Sequence, residues 1–182
     1  MSASDPSPTS IKGIVDTMDY GKAPESDAAA LDWIAEKGGA FGHFIGGQFT
    51  SAAQEFTTSN PATGNPLAQL SRATQSEVDA AVQSARKAQP KWAALGGHGR
   101  ARVLYALARQ LQKHARLFAV LETLDNGKPI REARDIDIPL AQRHFYYHAG
   151  MAQLMETSLP GRAPLGVCGQ IIPWHFPLPS LA

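Results

Sequence analysis

The sequence predicts an α/β fold, with short strands near the start, three helices in the middle and one buried strand near the end. Short β-branched runs separated by Gly and Pro give way, after residue 74, to apolar residues at helical spacing. Residues 167–172 form a last β-branched run bounded by Gly and Pro, which is typical of a strand buried on both faces. An apolar content of 43% with 18% charged residues is that of a globular protein.

Composition also excludes several classes of function. A net charge of +1 gives no reason to expect a nucleic-acid or membrane partner. The single cysteine, Cys168, rules out a disulfide framework and favours a reducing compartment. The first residues lack the basic and apolar regions of a signal peptide. We therefore expect a cytoplasmic protein.

Residues 1–42 predict an N-terminal arm with short helices. Its Ser/Pro-rich start predicts a mobile arm, residues 11–18 predict one or two helical turns, and a further helix begins near Ser26. Residues 43–182 then form the second predicted unit.

Three short strands are predicted at the start of this second unit. Residues 44–49 and 55–58 predict a hairpin in which Gly46-Gly47 allows tight geometry. Residues 60–66 form a turn by composition, and a strand follows at residues 66–70.

Three helices are predicted after the strands. Thr74 and Glu77 have the spacing of a capping box, and Pro90 is expected to end the helix that they begin. The second helix is predicted from about Gly99 to Leu124, before an Asn-Gly pair and a proline. The third covers about residues 138–155.

The string at residues 166–178, GVCGQIIPWHFPL, closely resembles a loop of the aldehyde dehydrogenase superfamily that reads G-V-x-G-x-I-x-P-W-N-F-P. The turn at residues 60–64 and the string ETLDNGKP at residues 122–129 are also similar to that superfamily. The resemblance covers about residues 42–178. It implies the N-terminal portion of a cofactor-binding domain, in which residues 167–172 are the first strand of a Rossmann-like sheet.

A narrower resemblance joins the chain to the sixteenth aldehyde dehydrogenase family. Residues 20–26 and 41–45 are similar to the N-terminal extension of that branch. Residues 156–165 form a shorter connector than in most superfamily members, which place there strands that pair with another subunit. The usual tetramer is therefore in doubt, and a dimer is the expectation.

The resemblance implies a cofactor-binding segment at Ile171, Ile172, Pro173, Trp174 and His175, along the nicotinamide-ribose part of NAD or NADP. In the superfamily, the Asn after the Trp donates its amide to the oxyanion of the tetrahedral intermediate. His175 occupies that position, and a neutral imidazole can still donate one N–H. The alternative is a loop histidine packed on Trp174.

Other candidate groups favour structural roles. Cys168 lies in the predicted buried strand, where a thiol is a small hydrophobe rather than a nucleophile. His144 and His148 share a helical face but lack the further ligands of a zinc site, so no metal is expected. The Gly97-His98-Gly99 string predicts a helix-entry loop.

By resemblance, the expected function is NAD(P)-dependent oxidation of an aldehyde to a carboxylic acid. That reaction needs a Cys thiolate to form a thiohemiacetal and a Glu base to activate water. In the superfamily both lie downstream of P-W-N-F-P, and a doubly wound domain needs several βα units. We therefore expect an incomplete fragment that is inactive alone. The alternative is a non-catalytic helical interaction module that keeps the family scaffold, and an intact small enzyme would need a nucleophile that the sequence does not offer.

Overall fold

The computed structural model describes residues 26–51 and 54–182. The arm and helical turns predicted within residues 1–18 lie outside these residues. The described part is α/β, as predicted, with a strand part at residues 40–72 and a helical part that follows it. Among the described residues, no helix combines the length and hydropathy needed to cross a membrane.

The first described element, α1, spans Ala28–Glu36 and confirms the helix predicted near Ser26. The Ser26 hydroxyl accepts a hydrogen bond from the backbone N–H of Ala28 at 3.2 Å. The helix stops at two glycines with left-handed backbone, Gly38 and Gly39.

Five strands form two small sheets: β1 (Ala40–Phe41), β2 (His43–Ile45), β3 (Gln48–Thr50), β4 (Gln54–Ser59) and β5 (Pro66–Arg72). In the larger sheet, β5 lies between β1, which runs parallel to it, and β4, which runs antiparallel. The smaller sheet is the hairpin of β2 and β3. The strand predicted at residues 66–70 and the turn before it are confirmed.

The predicted hairpin between residues 44–49 and 55–58 is wrong. Gly46 and Gly47, with φ of +65° and +86°, are the two turn residues that join β2 to β3, so Phe44 lies opposite Phe49. A two-residue turn with positive φ at both positions joins the two strands that directly flank it. β4 therefore pairs with β5 instead, across the turn at residues 60–65.

Helices α2 (Gln75–Ala94), α3 (Gly96–Lys113) and α4 (Ala115–Asn126) follow the strands. The capping box is confirmed, because the Thr74 backbone N–H donates to the Glu77 carboxylate at 2.7 Å. Hydrogen bonds from the side chain and backbone of Thr74 lower the Glu77 pKa to about 2.

Two predicted helix boundaries are wrong. Pro90 lies inside α2, which continues to Ala94 and closes its last turn with a bond from Leu95 N–H to the Trp92 carbonyl at 3.3 Å. Pro90 therefore removes one backbone bond near the helix end without ending the helix. The predicted helix at residues 99–124 is two helices, because helical backbone is interrupted at His114.

The chain continues through α5 (Ile130–Glu132), a π-helical turn (Ala133–Asp137) and α6 (Ile138–Ser158), and ends with α7 (Pro177–Leu181). α6 confirms the third predicted helix. α3 packs along α6 through small residues, with Ala101 against Ala149 and Ala152. A Cβ on Gly97 would lie 2.1 Å from the Ala152 carbonyl oxygen, so only Gly permits this approach.

The predicted buried strand at residues 167–172 is not formed. The connecting segment (residues 163–173) has no regular secondary structure, and Ile171 is fully exposed. A strand needs a neighbour for its backbone hydrogen bonds, and no strand of the described residues pairs with this segment. Cys168 is consequently exposed, so the expectation of a buried thiol is also wrong.

Candidate functional site

The Trp174 loop (residues 173–176) joins the connecting segment to α7. The Trp174 ring meets the Phe56 ring of β4 edge-on, with 6.4 Å between centroids. The His175 ring lies 4.6 Å from the ring of Phe176, which is its aromatic neighbour here rather than Trp174. Trp174 and His175 are both exposed, so their indole and imidazole groups are accessible.

An apolar cavity of about 410 Å³ lies between α4, the strand part and the chain on both sides of this loop. Most of its walls are apolar, and its polar lining comes from Thr58, Glu122 and Asp125. The Thr58 hydroxyl donates to Asp125 Oδ1 at 2.5 Å, which ties β4 to the end of α4. Of the five residues predicted to bind cofactor, Ile172 alone lines this cavity.

A buried ion cluster of Lys128, Glu122 and Asp137 lies at the end of α4. Lys128 Nζ is 3.2 Å from Glu122 Oε1 and also donates to Asp137 Oδ2. The two carboxylate side chains are only 4% and 2% exposed. Gly127, left-handed at φ +77°, ends α4 and turns the chain just before Lys128.

The proton balance of this cluster is unusual because two carboxyl groups share one ammonium group. Burial raises the pKa of Glu122 to about 7, with a further contribution from the neighbouring Asp137 carboxyl, while Lys128 acts in the opposite direction. Glu122 therefore holds a proton over part of the neutral pH range.

The ion cluster contacts the Trp174 loop through Lys128. The ammonium nitrogen lies 4.3 Å from the centroid of the Phe176 ring, within the range of a cation–π interaction. One lysine thus contacts both the buried carboxylates and the loop that carries His175.

The predicted site residues lie on one exposed stretch of chain, and their roles stay predictions. Cys168 is exposed, and its Sγ lies 3.9 Å from the Gly166 carbonyl oxygen, to which the thiol can donate a weak hydrogen bond. His148 Nδ1 is hydrogen-bonded to the His144 carbonyl oxygen at 2.9 Å. Within residues 26–51 and 54–182, no three potential metal ligands cluster together.

The sequence did not lead us to predict the ion cluster. Residues 122–129 indicated only the end of a helix and a resemblance to a family. A signal was present. Glu122 follows Leu121 in an apolar stripe, and Asp137 lies between two isoleucines. Acidic residues are rarely buried unless paired, so acids at apolar positions indicate a buried partner.

The chain is similar to proteins of one known family. A family model described as "Aldehyde dehydrogenase family" matches residues 49–182. Acetaldehyde dehydrogenase of Pseudomonas aeruginosa is 39% identical over 150 residues, covering 76% of this chain and 30% of that protein. An aldehyde dehydrogenase of Paracoccus denitrificans is 37% identical with the same coverage. The chain spans about 30% of the length of these curated relatives.

The fold is similar to solved aldehyde dehydrogenase structures as well. The NAD⁺ complex of aldehyde dehydrogenase from Bacillus cereus matches with a TM-score of 0.63 and 34% identity. That match covers 80% of this chain and 28% of the other.

Proposed function

This chain belongs to the aldehyde dehydrogenase family, and we propose that it supplies the nicotinamide side of an NAD(P)-dependent aldehyde dehydrogenase site. The observation that carries the proposal is the exposed Trp174 loop, with an accessible indole and imidazole inside the region that the family model matches. The proposed reaction oxidises an aldehyde to a carboxylic acid through a thiohemiacetal. Its Cys nucleophile and Glu base are proposed to lie outside this chain, because the chain spans about 30% of the length of the curated relatives that it matches.

The exposed residues of this segment fit one side of a nicotinamide-ribose unit. Ile171, Ile172 and Trp174 offer apolar surface, Pro173 stiffens the turn between them, and His175 offers a ring N–H. When bound, NAD or NADP would accept the hydride from the substrate. The chain's own residues would orient the nicotinamide ring and keep water from that face.

His175 is proposed to donate a hydrogen bond to the oxyanion that forms when the nucleophile attacks the aldehyde carbonyl. A neutral imidazole has one N–H for this purpose, and a donor placed in advance stabilises the developing charge. The exposure of His175 leaves its ring free to meet a substrate.

Several finer assignments belong to the same proposal. The cofactor is NAD or NADP, the substrate is an aldehyde, and the protein is a cytoplasmic dimer most like the sixteenth family. A two-part organisation at residue 42 is also proposed, although β1 on one side of that boundary pairs with β5 on the other.

A second candidate, a non-catalytic interaction module, is favoured by the connecting segment. Leu165 and Ile171 are almost completely exposed there, which is a surface that a protein partner could cover.

A chimera separates the two candidates. This chain replaces the matching 150 residues of the Pseudomonas aeruginosa acetaldehyde dehydrogenase, and reduced nicotinamide is measured with acetaldehyde and either NAD⁺ or NADP⁺. We expect turnover in the chimera, retained in Cys168→Ala, and none from the 182-residue chain alone. A correctly folded chimera without turnover would favour the interaction module, and turnover by the chain alone that Cys168→Ala abolishes would make Cys168 the nucleophile.

A further inference from the structure

We propose that Lys128 is a positioning residue, whose ammonium group is held by Glu122 and Asp137 and in turn holds the Phe176 ring and the Trp174 loop. The inference rests on the proposed function only for its consequence at His175. The positioning itself concerns residues of this chain alone.

The ammonium group of Lys128 is fixed on its buried side. Glu122 Oε1 lies 3.2 Å from Nζ, and Asp137 Oδ2 accepts a second hydrogen bond. Both carboxylates are almost fully buried and come from different elements, α4 and the π-helical turn. Because an ammonium group has three donors on one nitrogen, two such partners leave it little freedom to move.

The same nitrogen also contacts the Trp174 loop. Phe176 presents its ring at 4.3 Å, and the electron-rich face of an aromatic ring attracts a cation. Phe176 is half exposed, so hydrophobic burial alone fixes this ring less firmly than a core side chain. The charge therefore adds an attraction that a neutral side chain of the same length would lack.

The position of Phe176 determines the path of the loop. Pro177, which follows it, has a fixed φ, and Leu178 packs on the cluster of Ala119, Ala133 and Ile138. His175, which precedes it, contacts the Phe176 ring, and Trp174 reaches Phe56 one residue earlier. With Leu178 of α7 packed on the core and the Phe176 ring held by Lys128, the ring contact with His175 links that imidazole to both.

The test lowers the electron density on the face of the Phe176 ring and keeps the size of the ring nearly the same. Phenylalanines with increasing numbers of ring fluorines are incorporated at position 176 of the 182-residue chain, without cofactor. The contact between the Trp174 indole and the Phe56 ring is followed by the nuclear Overhauser effect. Fluorination weakens the negative ring face, so we expect this contact to fall stepwise, by about five-fold for the most fluorinated ring. A flat series would overturn the proposal.

Lys128→Met supplies the reciprocal arm, since it keeps the stem and removes the charge. In a folded variant we expect the same loss of the Trp174–Phe56 contact, and no further loss when the fluorinated ring is added, because both changes remove one interaction. Additive losses would overturn the proposal. If Lys128→Met does not fold, the fluorinated series decides alone.

The outcome is separable from that of the chimera. A stepwise loss of the loop contact together with an inactive chimera would leave Lys128 as a positioning residue and reject the proposed function. An active chimera, together with a Trp174–Phe56 contact that fluorination leaves unchanged, would support the proposed function and reject the positioning role of Lys128.

Discussion

Helix α6 and the connecting segment follow one another in the chain, and both are rich in apolar residues, but they are buried to very different extents. α6 buries Ile138, Ala141 and Ala149, whereas the connecting segment leaves Leu165 and Ile171 exposed. A helix satisfies its own backbone hydrogen bonds and needs only a surface to pack on. A strand needs a neighbour for hydrogen bonds and packing alike. Apolar composition favours burial. Whether a segment is in fact buried depends on whether a surface or strand is available for it to pack against.

The largest contrast is expected from one substitution made in both regions. Ile138→Ala should lower the free energy of unfolding by about 2–5 kcal/mol, because Ile138 is completely buried. Ile171→Ala should change it by less than about 0.5 kcal/mol, because that side chain is in water. Urea unfolding followed by circular dichroism measures both. Similar losses would mean that the connecting segment is buried in solution.

The second contrast concerns activity. In the chimera, His175→Ala should lower kcat by about 10²–10³, the usual effect of losing one oxyanion donor, while His175→Asn should match or exceed the unmodified rate. Unfolding free energy should hardly change, since His175 is exposed. His148→Ala, an exposed histidine on α6, is the matched control and should leave kcat unaltered. Equal rates for all variants would leave His175 as a ring that packs on Phe176.

A smaller contrast comes from two glycines. Gly97→Ala should cost about 1–3 kcal/mol of unfolding free energy, because its Cβ would overlap the Ala152 carbonyl between α3 and α6. Gly169→Ala has no atom within 4 Å of its new Cβ and should be neutral. Thermal unfolding of the two variants side by side is the measurement. A neutral Gly97→Ala would contradict the close approach of these helices.

A further expected effect is a pH dependence of stability that is located in the helical part. The folded-state pKa of Glu122, about 7, exceeds its ordinary value of 4.5, so the native state binds the proton more tightly. Stability from this group is complete below pH 4.5 and is lost as pH rises towards 7. Glu122→Gln, which resembles the protonated acid, should remove this decline.

Unfolding midpoints in urea between about pH 5 and pH 8 measure the decline. Glu77 and Asp135 have lowered pKa values and titrate below this window, so they do not obscure it. The prediction fails if the unmodified chain and Glu122→Gln show the same slope.

Local signals explain which parts of the fold the sequence could predict. The Thr74–Glu77 capping box and the left-handed Gly127 act over a few residues, and both lie where predicted. The unpaired state of residues 167–172 depends on whether a distant strand is available, and no local pattern contains that information. The interruption at His114 lies within a continuous apolar stripe, which predicted one helix.

The same distinction applies to the candidate site. The Trp174 loop was found through a contiguous string that resembles a family motif. The ion cluster joins Glu122, Lys128 and Asp137 across a helix end, a left-handed turn and a π-helical turn. Their pairing could not be read from spacing, although their apolar neighbours indicated burial.

The connecting segment also limits how the isolated chain can be handled. Charged residues commonly prevent aggregation-prone segments from associating. Residues 163–182 contain no Asp, Glu, Lys or Arg. Pro164 and Pro173 restrict strand pairing between copies to the residues between them, where Val167, Ile171 and Ile172 favour it. Self-association of the chain should therefore rise with concentration and begin in the eight residues 165–172. Dilute samples, with charged residues added at the end of the chain, suit the measurements above.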